Sequence, residues 1–245
     1  MPQPFFRFKQ FTVHQSDAVL KVSTEACILG AWATAPDGAT RLLDVGTGTG
    51  LLALMLAQRH PQALIDAVEL AEAAARQATE NVANSPFADR IRVHQTAIQE
   101  FSIFNSQFSI FNGNGYDFIV ANPPFYQHNL RSPDLARNAA KHAETLSFTD
   151  LLTAVRRLLA PTGAFVVLLP PVETEVFLRK AAESGLFLHR QLRVRHRPGG
   201  RLFRLVSELR FSEKEPDVEE LSIHAPEGGY APEFVALLKD FYLNF

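Results

Sequence analysis

The sequence predicts an α/β fold: a mostly parallel, doubly wound sheet closed by an antiparallel C-terminal hairpin. Three observations predict it. Short apolar stretches alternate with helix-patterned segments along most of the chain. Residues 164–169 read AFVVLL, an unbroken apolar run of the kind a parallel strand buried on both faces requires. Residues 188–195 and 202–211 flank Pro198-Gly199-Gly200, a hairpin signal.

Each element has its own reason. Residues 24–33 follow a Ser/Thr start signal and read as a helix. Residues 41–45 are a short buried strand. Residues 50–60 carry Leu51, Leu52, Leu54, Met55 and Leu56, which suits a mostly buried helix stopped by Pro61. A strand over 63–69 and an alanine-rich helix over 71–84 follow, the helix ended by Ser85-Pro86. Residues 91–95 and 117–121 are the third and fourth strands. Residues 148–159 place Leu151, Leu152, Val155, Leu158 and Leu159 on one helical face, and Pro161-Thr162-Gly163 breaks that helix. A helix over 172–184 precedes the hairpin, and residues 232–242 form a terminal helix. Residues 101–105 and 108–112 both read FSIFN, and an Asn/Gly turn follows. One seven-residue duplication is no solenoid, so 101–115 reads as an inserted loop. The alternative reading of that insert is an aromatic platform for bases. No linker divides the chain, and residues 1–245 read as a single domain.

Composition narrows the class. With 245 residues and 47% hydrophobic content, the chain can fill a core and is not disordered. No apolar run reaches the roughly 18 residues of a membrane span, and the N-terminus has no signal-peptide core. The single cysteine, Cys27, sits in an apolar stretch and reads as packing. Eight histidines lack metal-ligand spacing, so no metal is expected. The expectation is a cytoplasmic monomer. The net charge of −2 hides an asymmetry. Residues 189–211 hold seven arginines and one acid, a balance of +6; residues 212–245 hold eight acids and two lysines, a balance of −6.

The strongest local signal is Asp44-Val45-Gly46-Thr47-Gly48-Thr49-Gly50, which follows a strand and opens a helix. Glycines in such a turn let the backbone approach a nucleotide-like ligand. The spacing is G-x-G-x-G, not the dinucleotide G-x-G-x-x-G. Glu69 ends the next strand, where a carboxylate can accept both ribose hydroxyls of an adenosyl group. Asn122-Pro123-Pro124-Phe125 follows the fourth strand, at the carboxyl edge where such sheets bind ligands. The two prolines stiffen the chain and remove two N–H groups. The Asn122 side-chain oxygen and the Pro123 carbonyl could accept both hydrogens of a planar amino group, with Phe125 stacked on its ring.

The glycine loop with its acid resembles the Rossmann-like class I S-adenosylmethionine (SAM) methyltransferases, whose fold is a seven-stranded sheet. The N-P-P-F motif is similar to that of enzymes methylating amino nitrogens of adenine, guanine or glutamine. Residues 8–15 (FKQFTVHQ), 21–26 (KVSTEA), 29–32 (LGAW) and 137–148 (RNAAKHAETLSF) resemble the bacterial tRNA(Val) adenine-N6 methyltransferase family. The resemblance covers most of the chain apart from the insert and the tail. It implies SAM as cofactor, held by Asp44, Gly46, Thr47, Gly48, Gly50, Glu69 and Ala97, with Asn122 beside it. Residues 1–40 would form an N-terminal segment covering the site through Lys21 and Thr24. It implies a valine tRNA as partner and the adenosine 3′ of its anticodon as target. Two positions depart from the family pattern: Ala71 stands where an acid usually follows the ribose-binding Glu, and Thr96-Ala97-Ile98 has no acid for the adenine amine.

Basic residues suited to phosphate contact are Arg131, Arg137 and Lys141 near the motif and Arg195, Arg197 and Arg201 of the hairpin. The competing reading of the hairpin is a solvated face paired with the acidic tail. Three other functions remain open. Guanine-N2 methylation of ribosomal RNA also uses N-P-P-F. Glutamine-N5 methylation of release factors normally places a long helical domain before the glycine loop, against 43 residues here. The last is a catalytically silent RNA-binding module.

Overall fold

A computed structural model describes residues 4–15, 21–102, 115–123 and 146–245. Strands β1 (Phe5–Arg7) and β2 (Thr12–His14) pair as a small antiparallel ribbon. Helix α1 (Thr24–Trp32) starts at Ser23, whose hydroxyl accepts from the Ala26 N–H. Then come β3 (Arg41–Val45), α2 (Leu51–Arg59), β4 (Leu64–Glu69), α3 (Glu72–Ala83), β5 (Ile91–Gln95) and β6 (Tyr116–Ala121). Helix α4 (Phe148–Leu158), capped by Ser147, leads into β7 (Leu159–Leu169). Helix α5 (Pro171–Glu183), β8 (Phe187–Arg195), β9 (Leu202–Arg210), β10 (Asp217–Ser222) and α6 (Pro232–Leu238) complete the chain.

Eight strands form the main sheet, in the order β10-β8-β9-β7-β6-β3-β4-β5. The five from β7 to β5 run parallel, and β9 is antiparallel to both β7 and β8. The expected sheet thus gains one edge strand. Half of residues 217–222 (DVEELS) are acidic and only Val218 is a strong β-former, so they carry no strand signal. They pair in parallel with β8, with Leu221 buried in the core and Glu219 and Glu220 against Arg190 and Arg195.

Alternate residues of the central strands feed two cores. Val166 and Leu168 face α1, α2 and α6, while Phe165, Val167 and Leu169 face α4 and α5. Pro161-Thr162-Gly163 ends α4 as expected but sits within β7, as an irregularity where Tyr116 faces Leu159 and Phe118 faces Ala164. The central sheet holds a buried acid in β4, Asp66. Asp66 accepts from the Tyr116 hydroxyl at 2.7 Å and lies 2.6 Å from His94 Nε2, so it is not left unpaired.

The expected insert needs correction at both ends. Phe101 is 0% exposed and packs near His94, and its carbonyl accepts from Arg157 at 2.7 Å. Gly115 has φ +86°, and a Cβ there would stand 2.7 Å from the Leu158 carbonyl. Both belong to the core; residues 103–114 between them lie outside the described residues. No helix among the described residues is long and apolar enough to cross a membrane.

Candidate active site

Parallel register gathers the candidate residues at one edge. Val45 pairs with Ala121, so Gly46 and Asn122 leave adjacent strands side by side. Val45 also pairs with Val68, which places Glu69 on the other flank of the loop. Glu69 pairs with Gln95, and Ala97 lies just beyond. Asn122, Gly46, Glu69 and Ala97 therefore span four neighbouring strands, about 14 Å across.

The loop is left-handed three times, with φ of +71°, +57° and +83° at Gly46, Gly48 and Gly50. A Cβ on Gly46 or Gly48 would meet nothing, whereas one on Gly50 would touch Ala78. Among the described residues the first two glycines thus have no neighbour at the Cβ position, and the third packs on α3. Val68 holds the loop start through its carbonyl, which accepts from the Gly46 and Thr47 N–H groups. Asp44 is fully buried; its Oδ2 accepts from the Thr47 hydroxyl at 2.5 Å and the Ala53 N–H at 3.1 Å. Its Oδ1 is buried with no hydrogen-bond partner among the described residues. Burial pushes the Asp44 carboxyl up to about 7 against the pull of those two bonds.

Glu69 fastens the loop from outside. Its Oε2 accepts from the Gly48 N–H and its Oε1 from the Ala71 N–H, both at 2.9 Å. Ala71 so contributes its backbone to holding Glu69. Each carboxylate oxygen keeps a further lone pair for a ligand.

A residue missed in the sequence locks this edge to the N-terminus. Asn81 of α3 is 1% exposed. Its Nδ2 donates to the carbonyls of His14 and Thr49, both at 2.9 Å, and its Oδ1 accepts from the His14 N–H. Gln15 Oε1 then accepts from the Val22 N–H at 2.8 Å, ahead of α1. Lys21 and Thr24 are both exposed where α1 begins. The only sequence signal for Asn81 is its place, four residues after Gln77, on the face that also carries Ala75, Ala78 and Val82.

Asn122 is half-buried and Pro123 buried. Pro124, Phe125, Arg131, Arg137 and Lys141 lie outside the described residues. In the hairpin, Arg195 donates to Glu220 at 3.1 Å and to the Gly200 carbonyl, while Arg197 and Arg201 are exposed. Arg190 pairs with Glu208 and Glu219, Arg210 with Glu208, and Arg193 with Glu220. The acidic tail thus engages much of the basic hairpin. Among the described residues, no group of three metal-type side chains converges.

A doubly wound sheet whose edge sets a D-x-G-x-G-x-G loop between an acid and an Asn-Pro turn defines a methyltransferase. The family model for the methyltransferase small domain matches residues 31–167. The chain is 46% identical, over 98% of both sequences, to the tRNA1(Val) (adenine(37)-N6)-methyltransferase of Dyadobacter fermentans. It is 42% identical over the full length of the enzyme of that name from Parabacteroides distasonis. It is also 39% identical, over 98% of both, to the one from Pseudoalteromonas translucida. The chain belongs to the tRNA1(Val) (adenine(37)-N6)-methyltransferase family. Solved structures agree on the fold. A predicted O-methyltransferase of Agrobacterium tumefaciens superposes with a TM-score of 0.67 at 18% identity, covering 88% of this chain and 95% of that one. The glycopeptide N-methyltransferase MtfA, in complex with SAM, gives 0.56 at 14% identity, covering 80% and 96%. SAM is the cofactor, and the edge fits it: among the described residues a Cβ on Gly46 or Gly48 would meet nothing within 4 Å, and Glu69 has spare acceptor capacity.

Proposed function

We propose that this enzyme transfers a methyl group to the exocyclic N6 of adenosine 37 in tRNA1(Val). Membership of the family supports the reaction. The observation that carries the reading is the register Val45↔Ala121, which sets Asn122 beside Gly46.

In this reading Gly46, Thr47, Gly48 and Gly50 line the cofactor, Asp44 supports the loop, and Glu69 accepts from the ribose hydroxyls. Ala97 borders the adenine with backbone groups, and Lys21 and Thr24 cover the site from the start of α1. When bound, SAM supplies a methyl on a sulfonium, an electrophile that needs no acid catalyst. The chain's own work is positioning. The Asn122 side-chain oxygen and the Pro123 carbonyl accept the two amine hydrogens and turn the nitrogen lone pair out of the ring plane. Pro124 stiffens this turn, and Phe125 stacks on the extruded purine. The methylated nitrogen then releases its extra proton to water. An adenosine in a loop costs less to extrude than one in a duplex, which suits a single small domain. Arg131, Arg137, Lys141, Arg197 and Arg201 neutralise phosphates.

Transfer from labelled SAM to purified tRNA, followed by nucleoside mass spectrometry, tests this reading. N6-methyladenosine at position 37 of the valine tRNA is expected. Methylguanosine in ribosomal RNA, with no adenosine product, would replace it with the guanine-N2 reading.

A further inference from the structure

We propose that the exposed His196 ring, backed by the half-buried Phe203 ring and flanked by Arg197 and Arg201, is a stacking platform for an unpaired nucleotide of the same RNA. This rests on the RNA substrate proposed above and goes beyond it by naming where a second nucleotide binds.

Topology puts the pair on the site's edge. Strand β9 runs antiparallel to β7, with Leu205 opposite Leu169, so the β8–β9 turn projects from the edge where Asn122 emerges. Strand β9 is the second strand from β6, and Phe203 lies three residues beyond the level of Asn122. That is about 10 Å sideways and about 10 Å outward, roughly 14 Å in all. At about 3.4 Å per stacked nucleotide, this separation spans about four positions.

The local build suits a base. Val194 faces Arg204 and Arg195 faces Leu202, so Phe203 is the extra residue of a β-bulge. Bulges re-aim a side chain and recur beside active sites. The His196 and Phe203 ring centroids are 4.2 Å apart. The Arg204 guanidinium lies 4.3 Å from the Phe203 centroid and is tied to Glu25 of α1 at 3.0 Å. Phe203 is thus braced against the element that begins at Lys21 and Thr24, while His196 is exposed.

Charge separates this tip from the rest of the hairpin. Carboxylates engage Arg190, Arg193, Arg195, Arg204 and Arg210. Arg197 and Arg201 are exposed and have no carboxylate partner among the described residues. A ring pair between two uncommitted arginines matches single-stranded RNA, which offers base faces and phosphates together.

The test uses the full chain, SAM and an anticodon stem-loop RNA. His196→Gln should raise KM roughly 5- to 150-fold with kcat retained. Its dependence on log salt and its melting temperature should not change, because stacking releases no counterions. His196→Tyr should restore KM. Arg197→Gln with Arg201→Gln should flatten the salt dependence instead. An unchanged KM in His196→Gln, or a KM that His196→Tyr does not restore, overturns the platform. Failure of the wild-type enzyme to methylate the stem-loop or intact tRNA would overturn the substrate reading itself.

Discussion

Asn81 grips the backbone of His14 from both sides, donating to its carbonyl and accepting from its N–H, each at 2.9 Å. The same amide also donates to Thr49, so helix α3 couples the N-terminal ribbon to the glycine loop.

Asn81→Ala removes all three bonds, leaving the Thr49 carbonyl unpaired in a buried place and the His14 N–H and carbonyl in part-buried ones. A loss of about 2–4 kcal/mol is expected, since each unmet buried group costs about 1–3 kcal/mol and local relaxation recovers part of it. Urea denaturation measures the loss, and calorimetry should find weaker SAM binding in the folded fraction. Full stability would mean that the ribbon is held mainly by Phe8 and Phe11 in the core.

Glu69 holds the loop and, in the proposed reading, the ribose as well, so a simple loss of affinity in Glu69→Ala would not separate the roles. A ligand lacking ribose hydroxyls does. Wild-type protein should bind S-adenosylhomocysteine more tightly than its 2′-deoxy form, by a charged hydrogen bond worth about 1.5–3 kcal/mol. Glu69→Gln should narrow that gap. An equal gap in both proteins would leave Glu69 with the loop alone.

Asp44 makes stability depend on pH in a defined direction. Its carboxyl titrates near 7 in the folded protein, above its ordinary 3.8. The native state therefore keeps a proton that the unfolded chain has lost between those values. The stabilising contribution is complete below about pH 4, falls as pH rises through 7 and then stays flat. The whole excursion corresponds to at most about 4 kcal/mol. Asp44→Asn has no such titration, so wild type should lose ground to it in urea midpoints between pH 5 and 8. A constant difference would show that the carboxyl is ionised throughout.

Much of this architecture was legible because local signals agreed. The glycine loop lies between an apolar strand and an apolar helix, and Glu69 ends the next strand, so motif and period point to one edge. What escaped was set by tertiary pairing. Strand β10 buries Leu221 in the core and sets Glu219 and Glu220 against Arg190 and Arg195, a match between segments about 25 residues apart that no period reveals. Asn81 escaped because its partners are backbone atoms of distant segments. Phe101 reads as part of a repeat, yet it is 0% exposed and packs near His94 of β5 and Tyr116 of β6.

That boundary yields a further expectation. Gly115→Ala forces a non-glycine residue to φ +86° and a Cβ to 2.7 Å from the Leu158 carbonyl. The left-handed conformation alone costs about 1–2 kcal/mol, and the clash adds to it. Thermal unfolding should show a clear drop. Replacing residues 103–114 with a short turn, with Phe101 and Gly115 kept, should cost little, since loop length enters stability only logarithmically. A cooperative loss of folding after that shortening would place the second FSIFN copy in the core.

Asn122 offers the sharpest test of the chemistry. Its neighbour across the register is Gly46, so a change in its side chain leaves strand pairing and the loop intact. Asn122→Ala should bind SAM as wild type does, because the missing oxygen acts on the amine. Transfer should fall about 10²–10³-fold, the cost of removing one preorganised polar contact from a reacting group. Asn122→Asp keeps an acceptor at the same place but adds a charge, and it should retain part of the rate. Single-turnover transfer at saturating SAM and tRNA separates this loss from weaker binding. Equal single-turnover rates in wild type and Asn122→Ala would remove the side chain from the reaction and leave the backbone of the Asn-Pro turn as the acceptor.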